Sequence, residues 1–559
     1  MNGIKLFENL PERFLPPKED WPDFVYAHPD VNWVHYREYV NAAEEILDVG
    51  IAKHGWGHNV AIYDANKGEI WTYNRIQKEV NRLGNALKKL GVKPGDRVMW
   101  RFGEVPYAAV AELAIWKIGA INVGSALQER AREVEFIAND TEAVMIICQA
   151  DQTDQVQKAL PNLKTVKSVI AVPESPDDNF LDYSKLLSEA EAELEPYPTK
   201  PGDAASIFYT GGTTGHAKGC VHPHASEVII TDMLGKVAYG LNEKDVMLCS
   251  PPVGHSFGNG EKVNYPFRHG ASSVYCDRPT PEDYWELLAT YKVSIFIGVP
   301  TLYRVLLESY KPEYKAGLSN LRLCVAAGEM LTKDLYDNWS DKIGVSMNNS
   351  VGMTPMRHSF LESLMHGKKV APGVSAGKLL PGYEYRLIDD DGNTVKNGET
   401  GRMAVRGLTG IVYWNNLHPS MPGKQKEDVR NGWNWLDDAY VQDKDGWLYF
   451  STRLDNMIVT GGRQIAAPEV EEVLGEHPAV NQVAVVGVPD PVRTQSVKAF
   501  VVLNSGFSPS EQMIKELQAY AKDQMSFYKY PRIIEFIDEL PRDHLGKIQR
   551  RVLRERSCS

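Results

Sequence analysis

The segment Tyr209-Thr210-Gly211-Gly212-Thr213-Thr214-Gly215-His216-Ala217-Lys218-Gly219 puts four glycines, three threonines and a lysine into eleven residues. Such a composition suits an anion. Glycines let backbone N–H groups approach closely, threonine hydroxyls donate to phosphate oxygens, and lysine adds a full positive charge. The apolar run Ala205–Phe208 before it reads as a strand that would hold the loop's entrance. The loop is not a Walker A motif, in which lysine and a Ser/Thr directly follow the last glycine; here Ala217 precedes Lys218 and Gly219 follows it. Read alone, the same residues also suit a Gly/Thr-rich surface turn.

Four further clusters follow in chain order. Asn349-Ser350-Val351-Gly352-Met353-Thr354 is a polar segment after a strand-like run, and Gly432-Trp433-Asn434-Trp435-Leu436-Asp437-Asp438 ends on carboxylates able to accept two hydrogen bonds from a vicinal diol. Thr452-Arg453-Leu454-Asp455-Asn456 leads to Gly461-Gly462-Arg463, and Leu540-Pro541-Arg542-Asp543-His544-Leu545-Gly546-Lys547 closes the series. Each has a plain reading on its own, as a loop, a turn acid beside a core tryptophan, or one solvated charge in a basic tail.

Together and in this order, the five clusters resemble the signatures of the adenylate-forming superfamily: acyl- and aryl-CoA synthetases, peptide-synthetase adenylation domains and firefly luciferase. The resemblance implies an AMP-forming acid–CoA ligase using ATP, coenzyme A and Mg²⁺. It places Thr210, Gly211, Gly212, Thr213, Thr214, Gly215 and Lys218 around the phosphates, with Thr214 also beside the metal. Gly328, Glu329, Asn349 and Ser350 would join the nucleotide site, and Thr354 would touch the α-phosphate. Asp438 and Arg453 would hold ribose, Asp455 would be the hinge, and Lys547 the catalytic lysine. Gly461 and Gly462 would line a narrow passage for the pantetheine thiol. Ala327, Gly352, His255 and Phe257 would border the acid.

The chain departs from the family pattern at several places. Gly211 stands for Ser, Ala217 for Pro and Leu545 for Ser or Thr, while Pro355 replaces a Glu that helps hold Mg²⁺. Because Mg²⁺ binds largely through substrate phosphates and water, Glu329 or a water is the expected substitute. Small-acid members carry a bulky aromatic near Gly352, so glycine there is expected to leave room for a ring or longer chain. The opening Leu10–Pro22 and the run Ala327-Gly328-Glu329-Met330-Leu331 look like the benzoate- and 2-aminobenzoate-CoA ligase branch, which implies an aromatic or alicyclic acid. A short- or medium-chain aliphatic synthetase, an enzyme loading a carrier protein, and a non-catalytic nucleotide or acyl-adenylate binder are the alternatives. The chain's end at Ser559, soon after Lys547, is expected to exclude a fused carrier domain.

The elements that must position these residues read as α/β. Ile76, Val80, Leu83, Leu87 and Leu90 recur at helical spacing before Gly91. A helix near Ala108–Lys117 and buried strand-like runs at Arg97–Trp100, Val144–Ile147, Val169–Val172, Ser294–Ile297 and Leu321–Val325 continue the alternation. About 373–450, short β pieces are broken by Asp-Gly and Asn-Gly turn signals. Beyond them, helix Pro468–Leu474, strands near Val483–Val486 and Lys498–Leu503, and helix Glu511–Met525 form a separate α+β unit. The expected division is a large N-terminal domain of mixed and parallel sheets flanked by helices over 1–452, with the β-rich subdomain inside it, a hinge at 453–456, and a small mobile domain over 457–559.

Composition sets the remaining bounds. At 559 residues and 43% hydrophobic content the chain suits several globular domains. A net charge of −12 argues against general attraction to nucleic acid or anionic membranes. Six dispersed cysteines without a CxxC pair fit reduced core thiols. With no basic-apolar leader and no spanning apolar run, a cytoplasmic protein without membrane partners is expected, and a homodimer is left open.

Overall fold

A computed structural model describes residues 5–25, 38–210, 217–329, 331–389, 391–414, 423–453, 457–541, 548 and 550–558. Two open sheets form most of its N-terminal part. The first has seven strands in the order Leu181–Asp182, Ser168–Val172, Met145–Gln149, Arg97–Phe102, Ile121–Ala126, Ala204–Thr210 and Lys218–Pro223. All its pairings are parallel except the last, in which Thr210 lies opposite Lys218. The second has nine strands, with a parallel centre running through Met347–Gly352, Leu323–Ala327, Ile295–Gly298, Val246–Cys249, Ser272–Tyr275 and Val60–Asp64. Antiparallel strands close both its edges.

The sheets share one core with two helices. Helix Tyr73–Lys89 buries Ile76, Val80, Leu83 and Leu87, the face that the sequence spacing predicts, and the Thr72 hydroxyl caps it by accepting from Arg75 N. Helix Tyr107–Lys117 is buried from Ala108 to Lys117, as expected for a helix covered on every side. Two charges ride inside it. Lys117 pairs with Asp48 at 2.7 Å, and Glu112 accepts from Asn259 Nδ2 at 2.6 Å. Burial disfavours ionisation and pushes the Glu112 carboxyl up to about 8, so it is held largely as the neutral acid.

The β-rich region contains Glu384–Ile388, Thr400–Arg406, Val429–Arg430, Trp433–Gln442 and Leu448–Arg453 in one antiparallel sheet. Its turns are set by aspartates. Asp389 accepts from the backbone of Asp391 and Asn393, and Asp443 from that of Asp445 and Trp447. The C-terminal part has its own five-stranded sheet, built on the long hairpin Val480–Asp490 and Thr494–Leu503 and flanked by helices Ala467–Gly475 and Glu511–Gln524. It packs around Val470, Leu474, Val485, Ala499 and Leu517, separately from the sheets before it. Cys148, Cys220, Cys249 and Cys324 are buried, as core thiols should be. No helix among the described residues is long and apolar enough to cross a membrane.

Glu112 ties stability to pH. Its acidity is ordinary in the unfolded chain but weakened in the fold, so the folded state binds the extra proton between about 4.5 and 8. Stability from this group is therefore complete below pH 4.5 and declines as pH rises through that window. Glu112→Gln should flatten the loss between pH 6 and 8 by about 2 kcal/mol in denaturant titrations of the N-terminal transition; an unchanged slope would refute the assignment.

Candidate active site

The carboxyl ends of the parallel strands and the C-terminal part enclose a cavity of about 220 Å³. Open α/β sheets present their binding crevices at such strand ends. Thr210, His255, Phe257, Ala327, Gly328, Gly352, Thr354, Gly461 and Gly462, all singled out in the sequence, line it together. Gly211, Gly212, Thr213, Thr214, Gly215, Asp455 and Lys547 lie outside the described residues.

Thr354 opens a short turn, Thr354–Met356, that follows strand Met347–Gly352. Its hydroxyl is 2.9 Å from Ser256 Oγ at the start of the helical segment Ser256–Asn259. The turn ends on Arg357, whose φ of 70° is left-handed and costs an ordinary side chain on the order of 1–3 kcal/mol. The guanidinium is held firmly there. It donates to Glu227 Oε1 at 2.9 Å, the Ser256 carbonyl at 3.0 Å and Asn259 Oδ1 at 2.6 Å, and it lies 4.3 Å from the Phe208 ring centroid. Both ends of the Arg357–Glu227 pair are fully buried.

His255 caps the same helical segment, with Nδ1 accepting from Phe257 N at 3.3 Å. This bond assigns the remaining ring proton to Nε2. The surrounding protein lowers the imidazole pKa, with Arg463 and Arg357 adding to the effect, although the side chain is open to the cavity. His255 is thus a neutral hydrogen-bond donor at neutral pH.

Other expected residues take different positions. The Ser350 hydroxyl is buried and donates to Glu362, and Asn349 Nδ2 donates to the Val374 carbonyl at 3.3 Å, so both side chains serve the strand rather than the cavity. Lys218 is buried too, its amine 5.9 Å from the Tyr413 ring centroid and outside the cavity lining. Burial lowers its pKa, and Lys424 lowers it further. Asp438 and Arg453 are strand partners, opposite one another in the β-rich sheet.

Gly352 does not do what the sequence suggests. A Cβ there would lie 2.4 Å from the His358 carbonyl oxygen and 2.4 Å from Ser359 Cα, so the space a side chain would take is filled by the adjacent strand's backbone. The glycine permits close strand approach; it does not enlarge the acid pocket.

Gly461 and Gly462 form the two-residue turn between Met457–Thr460 and Arg463–Ala466, with φ of 54° and 74°. Positive φ at both positions is what such a tight hairpin requires. A Cβ on Gly462 would lie 2.2 Å from Val299 Cγ1. The Gly462 N–H donates to Glu329, whose carboxylate also accepts from Thr301 N at 2.9 Å and from the Thr301 hydroxyl. Glu329 therefore anchors the glycine turn, and its oxygens are engaged rather than presented as a metal ligand.

Side chains absent from the sequence reading complete the closure. Lys529, which also lines the cavity, joins Glu133 of the N-terminal part to Glu469 at 2.6 Å, while Arg132 reaches Glu472 at 3.0 Å and Glu476 at 2.8 Å. Glu261, Tyr265 and Arg357 were equally unmarked, and all three line the cavity. The available signal was the charged and polar sequence Glu261-Lys262 and Asn264 inside a helical run flanked by buried strands.

Thr210, the Thr354 turn and the Gly461–Gly462 turn thus meet at one cavity against two α/β sheets. Residues 51–411 match the AMP-binding enzyme family and residues 469–547 the AMP-binding enzyme C-terminal domain, so the chain belongs to the AMP-binding enzyme family. It is an AMP-forming acid–CoA ligase enzyme, of the family that uses ATP and CoA as substrates. It is similar to the benzoate–CoA ligase of Thauera aromatica, 31% identical over 92% of this chain and 96% of that protein. It is also similar to the mitochondrial acyl-coenzyme A synthetase ACSM3 of Homo sapiens, 30% identical over 93% and 90%. The crystal structure of the anthranilate CoA ligase AuaEII in complex with anthranoyl-AMP has a TM-score of 0.70 at 30% identity, covering 93% of this chain and 98% of that one.

Gly352→Ala tests the corrected role of that glycine. It should cost about 1–3 kcal/mol in thermal or denaturant unfolding and lower kcat/KM for acids of every size alike. Selective loss of bulky acids at unchanged stability would restore the pocket-volume reading.

Proposed function

We propose that the acid is aromatic or alicyclic, that Mg²⁺ accompanies ATP, and that two half-reactions share the cavity. The observation that carries this reading is the cavity itself, lined by Phe257, Tyr265 and Leu234 together with His255, Thr354, Gly461 and Gly462. Its ring-lined wall and the likeness to a benzoate–CoA ligase support a cyclic acid over acetate.

In the first half-reaction the acid's carboxylate oxygen attacks the α-phosphorus of ATP and diphosphate leaves. Repulsion between anions opposes this step, so positive charge and hydrogen-bond donors must surround the phosphates. Lys547, Lys218, Thr213 and Thr214 are assigned that work by family likeness, and the neutral His255 Nε2–H orients the acid's carboxylate. Asp438 and Arg453 hold the ribose. The described residues do not fit a protein-built Mg²⁺ cage at this point, since Pro355 follows Thr354 and Glu329 is bonded to Thr301 and Gly462.

In the second half-reaction the pantetheine sulfur attacks the carbonyl carbon of the acyl-adenylate, forming the thioester and expelling AMP. A thiol needs an approach free of side chains, and family likeness assigns it to Gly461 and Gly462, whose turn packs directly against Val299 and donates to Glu329. Rotation about Asp455 would exchange Lys547 for this turn between the two steps, and the Lys529, Glu133 and Glu469 cluster favours the arrangement with the glycine turn at the cavity.

The test incubates the protein with ATP, Mg²⁺, CoA and benzoate, 2-aminobenzoate, cyclohexanecarboxylate, butyrate or acetate, and measures AMP and acyl-CoA by mass spectrometry. AMP matched by a cyclic acyl-CoA is expected. Product from aliphatic acids alone would overturn the cyclic assignment, and acyl-adenylate without thioester would point to a carrier-protein acceptor. The two half-reactions separate in variants. Gly462→Val should keep acid-dependent ATP–diphosphate exchange but slow thioester formation from supplied acyl-adenylate by about 10²-fold. Lys547→Ala should show the reverse, losing about 10²–10³-fold in exchange. Equal loss of both steps in both variants would sink the division of labour.

A further inference from the structure

The far wall of the cavity carries a carboxyl group whose hydrogen bonding is incomplete. Glu261 lines the cavity with 1% of its surface exposed. Its Oε1 accepts from the Tyr239 hydroxyl at 2.9 Å, and its Oε2 has no partner among the described residues. Buried polar atoms are nearly always satisfied, so a lone one on a residue of the cavity wall calls for a partner. The neighbouring cation does not supply it, because Arg357 is spent on Glu227, the Ser256 carbonyl and Asn259. Glu362, another buried acid, accepts from Ser350, and its own Oε2 likewise has no partner among the described residues.

Position decides what the occupant is. Glu261 belongs to the π-helical stretch Gly260–Asn264, which continues from Ser256–Asn259. Ser256, at the reacting end, is bonded to Thr354. Five residues of helix carry Glu261 about 7 Å from Ser256 along the axis, roughly the length of one ring with a substituent. π-turns within helices often mark functional positions. An acid with its carboxylate near Thr354 and His255 would therefore bring its opposite end to Glu261.

We infer that Glu261 reads the distal end of the acid, and that the preferred substrate is a ring acid bearing a hydroxyl or amino group remote from its carboxylate. This rests on the ligase reading of the cavity and names its substrate class. Such a group completes the hydrogen bonding of Oε2. Burial keeps the Glu261 carboxyl largely neutral, its pKa pushed up to about 8, so a hydroxyl that both accepts and donates suits it in either protonation state. An unsubstituted ring or a plain alkyl chain leaves Oε2 unsatisfied and is disfavoured, as sites built to bond a substrate OH or NH reject analogues lacking it.

The test compares kcat/KM for acyl-CoA formation from benzoate and from its 3- and 4-hydroxy and 3- and 4-amino derivatives in the wild type, Glu261→Leu and Glu261→Gln. The wild type should favour the best substituted acid over benzoate at least 10-fold, Glu261→Leu should bring that ratio to about one, and Glu261→Gln should keep part of it. The thermal shift induced by each acid in the presence of ATP reads the same ordering without turnover. A wild type that favours benzoate, or a leucine variant with the wild-type ratio, overturns the inference while leaving the ligase reading intact. Absent turnover with the ordered, Glu261-dependent thermal shifts would instead sink the ligase reading and uphold the role of Glu261. Absence of both turnover and acid-dependent shifts overturns both.

Discussion

The sealed ion pair between Arg357 and Glu227 sets the geometry around which the cavity is built. Its guanidinium ends the Thr354 turn in a left-handed conformation and bonds to the Ser256 carbonyl and Asn259. It also packs on Phe208, from the other sheet. One buried charge thus ties together the second sheet's strand end, the helical segment carrying His255 and Glu261, and a strand of the first sheet. A buried pair of this kind is weak evidence for net stability, because desolvation offsets the attraction. Its value here is positional: an unpaired guanidinium could not remain in that interior, so the strained turn and its neighbours are fixed together.

Around that anchor several acids are buried yet held neutral. Burial raises the pKa values of Glu112 and Glu261 to about 8 and pushes that of Glu362 well above the ordinary carboxylate range. Neutral acids and paired charges let hydrogen-bonding groups sit in the interior without the cost of several bare charges. A second constraint acts at the opposite wall, where Glu329 receives the Gly462 N–H and the absence of a side chain lets the hairpin turn meet Val299. The C-terminal part is held there by Lys529 between two glutamates and by the Arg132 pairs. Those contacts are polar; the Lys529 cluster is buried, while the Arg132 pairs are reachable by water.

The chain's own pattern determined the α/β class, the covered face of helix Tyr73–Lys89, the β-rich insertion and the order of the chemical segments. These are local matters: helical spacing, turn-forming aspartates and apolar strand runs act over a few residues. Thr210, Thr354, His255 and the Gly461–Gly462 pair were legible for the same reason, since their neighbours in sequence mark them. Tertiary structure alone decided the rest. Whether a side chain at Gly352 would meet substrate or protein depended on an antiparallel strand, whether Glu329 was available depended on a hairpin more than a hundred residues away, and whether Ser350 faced the nucleotide depended on a buried glutamate. Glu261 read as one charge in a helical run until folding buried it against Tyr239 at the wall of the cavity, because burial and partnership come from residues distant in sequence.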